Sequence, residues 1–80
     1  MSWSIEWGFA ARATLRSMPW RQAAQIDAAV LRLAQENEGE IIRVPQIHPY
    51  GARLYTGPFV LFLTLDPYAA ALTVWYIYRR

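Results

Sequence analysis

The sequence predicts an α+β domain in which two N-terminal helices pack on one face of an antiparallel sheet of about four strands, in the order β-α-α-β-β-β(β). Three observations predict it. Trp3, Ile5 and Trp7 alternate with Ser4 and Glu6, the period of two of a half-buried strand. Apolar residues then recur at helical spacing from Phe9 to Leu33, with a single break at Pro19. From Ile41 onward, β-rich runs are separated by Gly, Pro and Asp. A strand, a helical pair and a final group of strands together make helices layered on one side of a sheet, with the other side left open.

Taken in order, Gly8 ends the first strand. Ala11, Leu15 and Met18 recur at intervals of four and three, with Arg12 and Arg16 as an adjacent basic stripe, which makes a short helix. Pro19 closes it and heads the next, because proline is well tolerated at a helix start. The second helix carries Ala23, Ile26, Val30 and Leu33 on one face over about four turns. Glu36, Asn37 and Glu38 lead out of it, and Gly39 is expected to take the left-handed position at its end. Ile41–Val44 is a brief strand, and the residues QIHPY between Pro45 and Gly51 form a loop. Ala52–Thr56 and Phe59–Leu65 form a hairpin with Gly57 at the first central position of a type II′ turn. Asp66 and Pro67 mark a further turn. The run Ala71–Tyr78, rich in β-branched and aromatic residues, is the last strand.

A two-residue hairpin turn fixes register, so Thr56 faces Phe59, Tyr55 faces Val60, Leu54 faces Leu61 and Arg53 faces Phe62. One side then holds Ala52, Leu54, Phe59, Leu61, Leu63 and Leu65 and belongs under the helices. The other holds Arg53, Tyr55, Val60 and Phe62. In the last strand Trp75 and Ile77 are assigned to the core, leaving Tyr76, Tyr78 and Arg80 to complete the open face. Trp3, Trp7 and Trp75 are all read as core rings. Trp20, at a helix start, has two readings: a staple packed back on the helix or an exposed anchor for a partner.

Residues 1–80 form one domain, and a chain of this size buries only about 60–65% of the surface that its unfolded form exposes. With 55% hydrophobic and 15% aromatic residues, it has more apolar surface than it can easily hide, which points to a partner or a self-association face. The absence of cysteine excludes disulfides, thiolate metal sites and a cysteine nucleophile. No signal-peptide pattern opens the chain and no apolar run approaches membrane-spanning length, so a soluble cytoplasmic protein is expected. The formal charge is +2 and all eight cations are arginine. That bias is too weak to imply nucleic acid by itself, and no lysine is present to act as a base. An open face of aromatics with arginine at its ends suits RNA, through phosphate contacts and base stacking, and equally suits the centre of a protein interface.

W-S-I-E-W near the start, then A-x-x-x-L, a proline-led second helix, R-V-P, R-L-Y-T-G-P-F-V-L-F-L-T-L-D-P and L-T-V-W-Y-I-Y-R-R resemble the RelE/ParE toxin superfamily over nearly the whole chain. The resemblance implies a small bacterial toxin of a type II toxin–antitoxin module, held inactive by a cognate antitoxin. One branch of that superfamily cleaves mRNA on the ribosome without a metal and another poisons DNA gyrase. Carried over residue by residue, the ribonuclease branch implies catalytic roles for Arg53 and Arg80, which match two of its basic positions; in the enzyme reading they act as phosphate clamps, with Tyr55, Tyr76 or Tyr78 of the open face stacking on bases. This sequence departs from that branch: Gly51 stands where a second basic residue is expected, Pro58-Phe59-Val60 stands where the branch has an arginine after an aromatic residue, and the tyrosine that the branch carries after the last strand has no counterpart among residues 1–80. Metal-free RNA cleavage needs proton donors and acceptors and cations on the developing phosphorane, and Val60 supplies none of these. The expected function is therefore a toxin-like, antitoxin-binding component with the ribonuclease constellation largely missing. A residual mRNA endonuclease, a gyrase inhibitor and a catalytically silent, self-associating module are the alternatives. For the self-associating module, Val60 and Phe62 are the discriminating apolar pair.

No cofactor is implied. His48, the only histidine, sits in a proline-flanked loop with no partner at a convincing spacing and reads as an ordinary loop residue. Metal binding is not expected either, since a site needs three or four ligands. Glu36, Glu38 and Glu40 read as the solvated exit of the second helix, and Arg12, Arg16, Arg21 and Arg32 as solvated helix faces.

Overall fold

The computed structural model describes residues 2–80. Its elements are β1 (Ser4–Trp7), α1 (Phe9–Ser17), α2 (Trp20–Glu36), β2 (Glu40–Arg43), β3 (Gly51–Thr56), β4 (Phe59–Asp66) and β5 (Ala71–Arg79). The α+β class and the helical layer on one side of the sheet match the expectation. The sheet has five strands in the order β1-β5-β4-β3-β2, and β1 enters it in parallel with β5 while all other pairs are antiparallel. The parallel pairing arises because the helical pair carries the chain away from β1 across the sheet and the final strand returns along the same edge.

Pro19 separates the helices as expected, and its carbonyl accepts the N–H groups of Gln22 and Ala23 at 3.0 and 3.1 Å, which starts α2. The end of α2 differs from expectation. Asn37, not Gly39, takes the left-handed conformation, at φ 56° and ψ 35°, and donates its N–H to the Leu33 carbonyl at 3.1 Å. Asparagine tolerates that region because its short polar side chain bonds locally. Gly39 instead adopts φ 151°, where an added Cβ would stand 3.0 Å from Leu54 Cδ1, so its missing side chain lets β2 close over the core.

The core lies between the helices and one face of the sheet. Ala11 of α1 and Ile26, Val30, Leu33 and Ala34 of α2 pack with Ala52, Leu54, Phe59, Leu61 and Leu63 of the hairpin and with Leu72, Val74 and Ile77 of β5. Trp3, Ile5, Trp7, Leu15 and Leu65 are half-buried against this cluster. The hairpin thus places on its buried side the aliphatic set that its turn chemistry predicts. No buried side-chain nitrogen or oxygen among the described residues lacks a hydrogen-bond partner. Among the described residues no helix is long and apolar enough to cross a membrane.

Trp75, expected in the core beside Ile77, is instead 43% exposed. The β4–β5 ladder pairs Phe62 with Tyr76 and Leu63 with Val74, so Trp75 is an unpaired extra residue, a β-bulge. The bulge shifts the side-chain phase by one, keeping Leu72 and Val74 inward before it and Ile77 inward after it. Trp20 also resolves: it is 74% exposed, with the Arg21 guanidinium 5.4 Å from its ring centroid.

Candidate functional site

The side of the sheet away from the helices is built by strand register. Gly57 adopts φ 55° at the hairpin turn, which a type II′ turn requires, and the turn sets Tyr55 opposite Val60 and Arg53 opposite Phe62. On the next strand Val60 faces Tyr78 and Phe62 faces Tyr76. On the other flank Glu40 faces Tyr55 and Ile42 faces Arg53. Two rows cross the open face as a result: Glu40, Tyr55, Val60 and Tyr78 in one, and Ile42, Arg53, Phe62 and Tyr76 in the other.

Val60 is only 8% exposed, although it belongs to the open side and not to the main core cluster. Its register neighbours Tyr55 and Tyr78 flank a short β-branched side chain. Phe62 is half-buried in the same manner, whereas Tyr76 and Tyr78 stand more open. The exposed apolar surface of the two rows is therefore carried by Tyr76, Tyr78 and Ile42.

The two arginines differ in how they are held. Arg80 donates from Nε and Nη2 to the Gly57 carbonyl at 3.1 and 3.0 Å, and its guanidinium lies 5.1 Å from the Tyr55 ring centroid. It is thus fastened to the hairpin turn. Arg53 is half-buried, and its guanidinium makes no hydrogen bond or ion pair among the described residues. Tyr55 separates it from Arg80, so the face presents one free guanidinium and one that is largely engaged. A free guanidinium fits a carboxylate or phosphate in two-point contact.

On the same face, adjoining the row of Arg53, Phe62 and Tyr76, lies a depression of about 310 Å³ lined by Ile47, His48, Phe62, Thr64, Trp75 and Tyr76. The bulge supplies Trp75, whose indole Nε1 donates to Thr64 Oγ1 at 2.9 Å, laying the ring over β4. Gly8 makes room for it, since a Cβ there would meet Trp75 Cε3 at 3.1 Å. The loop after β2 supplies Ile47 and His48. Arg43 anchors that loop by donating from Nη2 to the Pro49 carbonyl at 2.9 Å, and His48 Nδ1 accepts the Tyr50 N–H at 3.1 Å. Sequence reasoning missed this depression, because neither the bulge nor the fold of a proline-flanked loop has a local signature in an apolar strand.

His48 lines the depression with Phe62 and Tyr76 toward the Gly51 end of β3, whereas Arg80 is held at the Gly57 turn. No group of three His, Cys, Asp or Glu residues among the described residues is placed to hold a metal ion. Glu36, Glu38 and Glu40 do not converge on a site: Glu38 pairs with Arg32 at 2.6 Å on the exposed exit of α2, and that hydrogen bond raises the Arg32 pKa above its ordinary value. For binding, the face offers aromatic surface, an apolar depression and a guanidinium.

The chain aligns with a chain of the crystal structure of the toxin–antitoxin complex RelBE2 from Mycobacterium tuberculosis, with a TM-score of 0.77 over 100% of both chains and 18% sequence identity. At that identity the likeness establishes a common fold. No protein-family model and no curated protein matches the sequence.

Proposed function

We propose that the chain is the toxin-like component of a bacterial type II toxin–antitoxin module, neutralised in the cytoplasm by a cognate antitoxin that covers its open sheet face. The observation that carries this reading is the end-to-end fold likeness to a chain of a toxin–antitoxin complex. The exposed Tyr76, Tyr78 and Trp75 support it, because aromatic rings grouped with arginine are favoured at the centres of interfaces.

The same face argues against efficient RNA cleavage. Val60 occupies the position where the resemblance calls for a cation, and Arg80 spends two of its donors on the Gly57 carbonyl. Loss of one preorganised charge donor costs on the order of 100- to 1,000-fold in rate. Arg53, free and beside Tyr55, favours a second reading, in which weak ribosome-dependent mRNA cleavage persists through phosphate binding.

The test is induction of the gene in a bacterial host with and without its neighbouring gene. Growth arrest relieved by the neighbour, together with co-purification of the two products, is the expected result. Normal growth and no co-purifying neighbour would overturn the proposal. Toe-printing of ribosome-bound mRNA and a gyrase supercoiling assay then identify the target, and an intact A-site codon removes the cleavage reading.

A further inference from the structure

Strand β2 forms one edge of the sheet, and the alternation of its hydrogen bonds fixes which backbone groups face outward. Val44 donates its N–H to the Gly51 carbonyl at 2.9 Å, in step with the register that pairs Ile42 with Arg53 and Glu40 with Tyr55. Hydrogen-bonded pairs recur at every second residue of an antiparallel ladder, so Glu40, Ile42 and Val44 turn their main-chain groups toward β3. Those of Ile41 and Arg43 point away from the sheet, and no hydrogen bond among the described residues reaches them.

Natural edges ordinarily carry a lysine, a proline or a bulge that blocks pairing with another chain. Residues 40–44, EIIRV, contain neither lysine nor proline, and the β2–β3 register runs without a shift. Glu40, Ile42 and Arg43 are exposed, and Ile42 keeps 53% of its surface in water. The opposite edge differs, because Trp3, just before β1, donates its N–H to the Ala34 carbonyl of α2 at 3.0 Å and brings the helical layer against the chain there.

We propose that β2 pairs antiparallel with β2 of a second copy, joining two five-stranded sheets into one about a two-fold axis at Ile42. Parity and charge select that register. Residues facing each other in a continuous sheet share a side, so the axis must fall on a single residue. Centring on Glu40 or on Arg43 sets like charges directly opposite, which destabilises a pair. Centring on Ile41 puts the exposed Ile42 against Glu40. Centring on Ile42 lets Ile41 and Arg43 of each copy exchange their outward main-chain bonds, and seats Ile42 on Ile42 in the non-hydrogen-bonded position where side chains come closest.

The pairing places self-association at the edge and not at Val60 and Phe62, which are buried and half-buried on the face. It also aligns the two open faces. The row Tyr76, Phe62, Arg53 and Ile42 runs on across the axis into its copy, and the two Arg53 positions stand three strand spacings apart, about 14 Å. The inference does not rest on the toxin–antitoxin reading.

The test is sedimentation velocity of the purified full chain from about 1 μM to 1 mM, with amide hydrogen exchange measured by NMR at both ends of the range. An edge pairing falls below the standard interface size, and a Kd on the order of 10–100 μM is expected. In dilute solution Ile41 and Arg43 are expected to exchange freely while Ile42 and Val44 are protected; at high concentration the first two should slow about tenfold. Ile42→Lys, at an exposed position, is expected to weaken association about tenfold or more with the urea midpoint nearly unchanged, and Tyr76→Thr on the open face to leave association as it was. A monomer throughout the range, exchange at Ile41 and Arg43 that ignores concentration, or a dimer broken by Tyr76→Thr and not by Ile42→Lys overturns the proposal. Protection of those two amides only after the neighbouring gene product is added shows that the edge serves a strand of another chain, and self-pairing falls.

Discussion

Replacing Tyr76 by threonine asks directly whether the open face is a binding surface. Tyr76 is 52% exposed, and a tyrosine presents roughly 200 Å², so about 100 Å² of it remains in water in the free chain. Covering that area at about 25 cal/mol per Å² sets a ceiling of about 2.5 kcal/mol, about 70-fold in Kd; threonine keeps part of the area and binding costs take more, so a loss of roughly tenfold is expected. The cost to the free chain is smaller. Tyr76 sits opposite Phe62, a cross-strand contact worth roughly 0.2–1 kcal/mol, and threonine keeps the preference for a strand. Titration calorimetry against the co-purified neighbour product, with urea unfolding of the same proteins, separates the two quantities. A Kd within about threefold of the parent value, with folding stability changed as expected, would show that no partner covers Tyr76 and would refute the reasoning.

Three further outcomes test the fold beneath the site. Leu61→Ala empties a fully buried position in the core cluster and is expected to cost about 2–5 kcal/mol, out of roughly 4–12 kcal/mol for a domain of this length; a urea midpoint that barely moves contradicts the placement. Gly57→Ala meets two obstacles, a φ of 55° that costs an L-residue about 1–2 kcal/mol and a Cβ only 2.5 Å from Gln25 Nε2. Adding Gln25→Ala should recover the second part and not the first, and strictly additive effects of the pair in unfolding would mean that the two do not meet. Ala70→Gly relieves a φ of 51°, and after the added chain entropy of glycine it should stabilise by roughly 0.5–1 kcal/mol; a lowered melting temperature counts against the strained turn.

The elements that were legible in the sequence are those whose signal is local or periodic. Gly57-Pro58 sets the hairpin register residue by residue, and the spacing of Ile26, Val30 and Leu33 marks the buried face of α2. The phase of β5 was not legible, because Leu72 to Tyr78 is apolar in both parities and only pairing with β4 decides which side chains turn inward. The C-terminus of α2 differs from the expected one for a related reason: Asn37 and Gly39 both suit a left-handed position, and the approach of Leu54 to Gly39 is a tertiary fact. The open-face rows follow from register and were readable. The depression beside Trp75 combines a bulge with a loop more than twenty residues away in sequence, and it became visible only with the fold.

Strand β5 carries one surplus letter at Trp75. Losing a residue within a strand ordinarily turns every later side chain over; here a deletion of Trp75 would leave Tyr76, Ile77 and Tyr78 opposite Phe62, Leu61 and Val60 as before. The outer surface can therefore be rewritten by a change of length at this one place, an edit that the hydrophobic interior does not register.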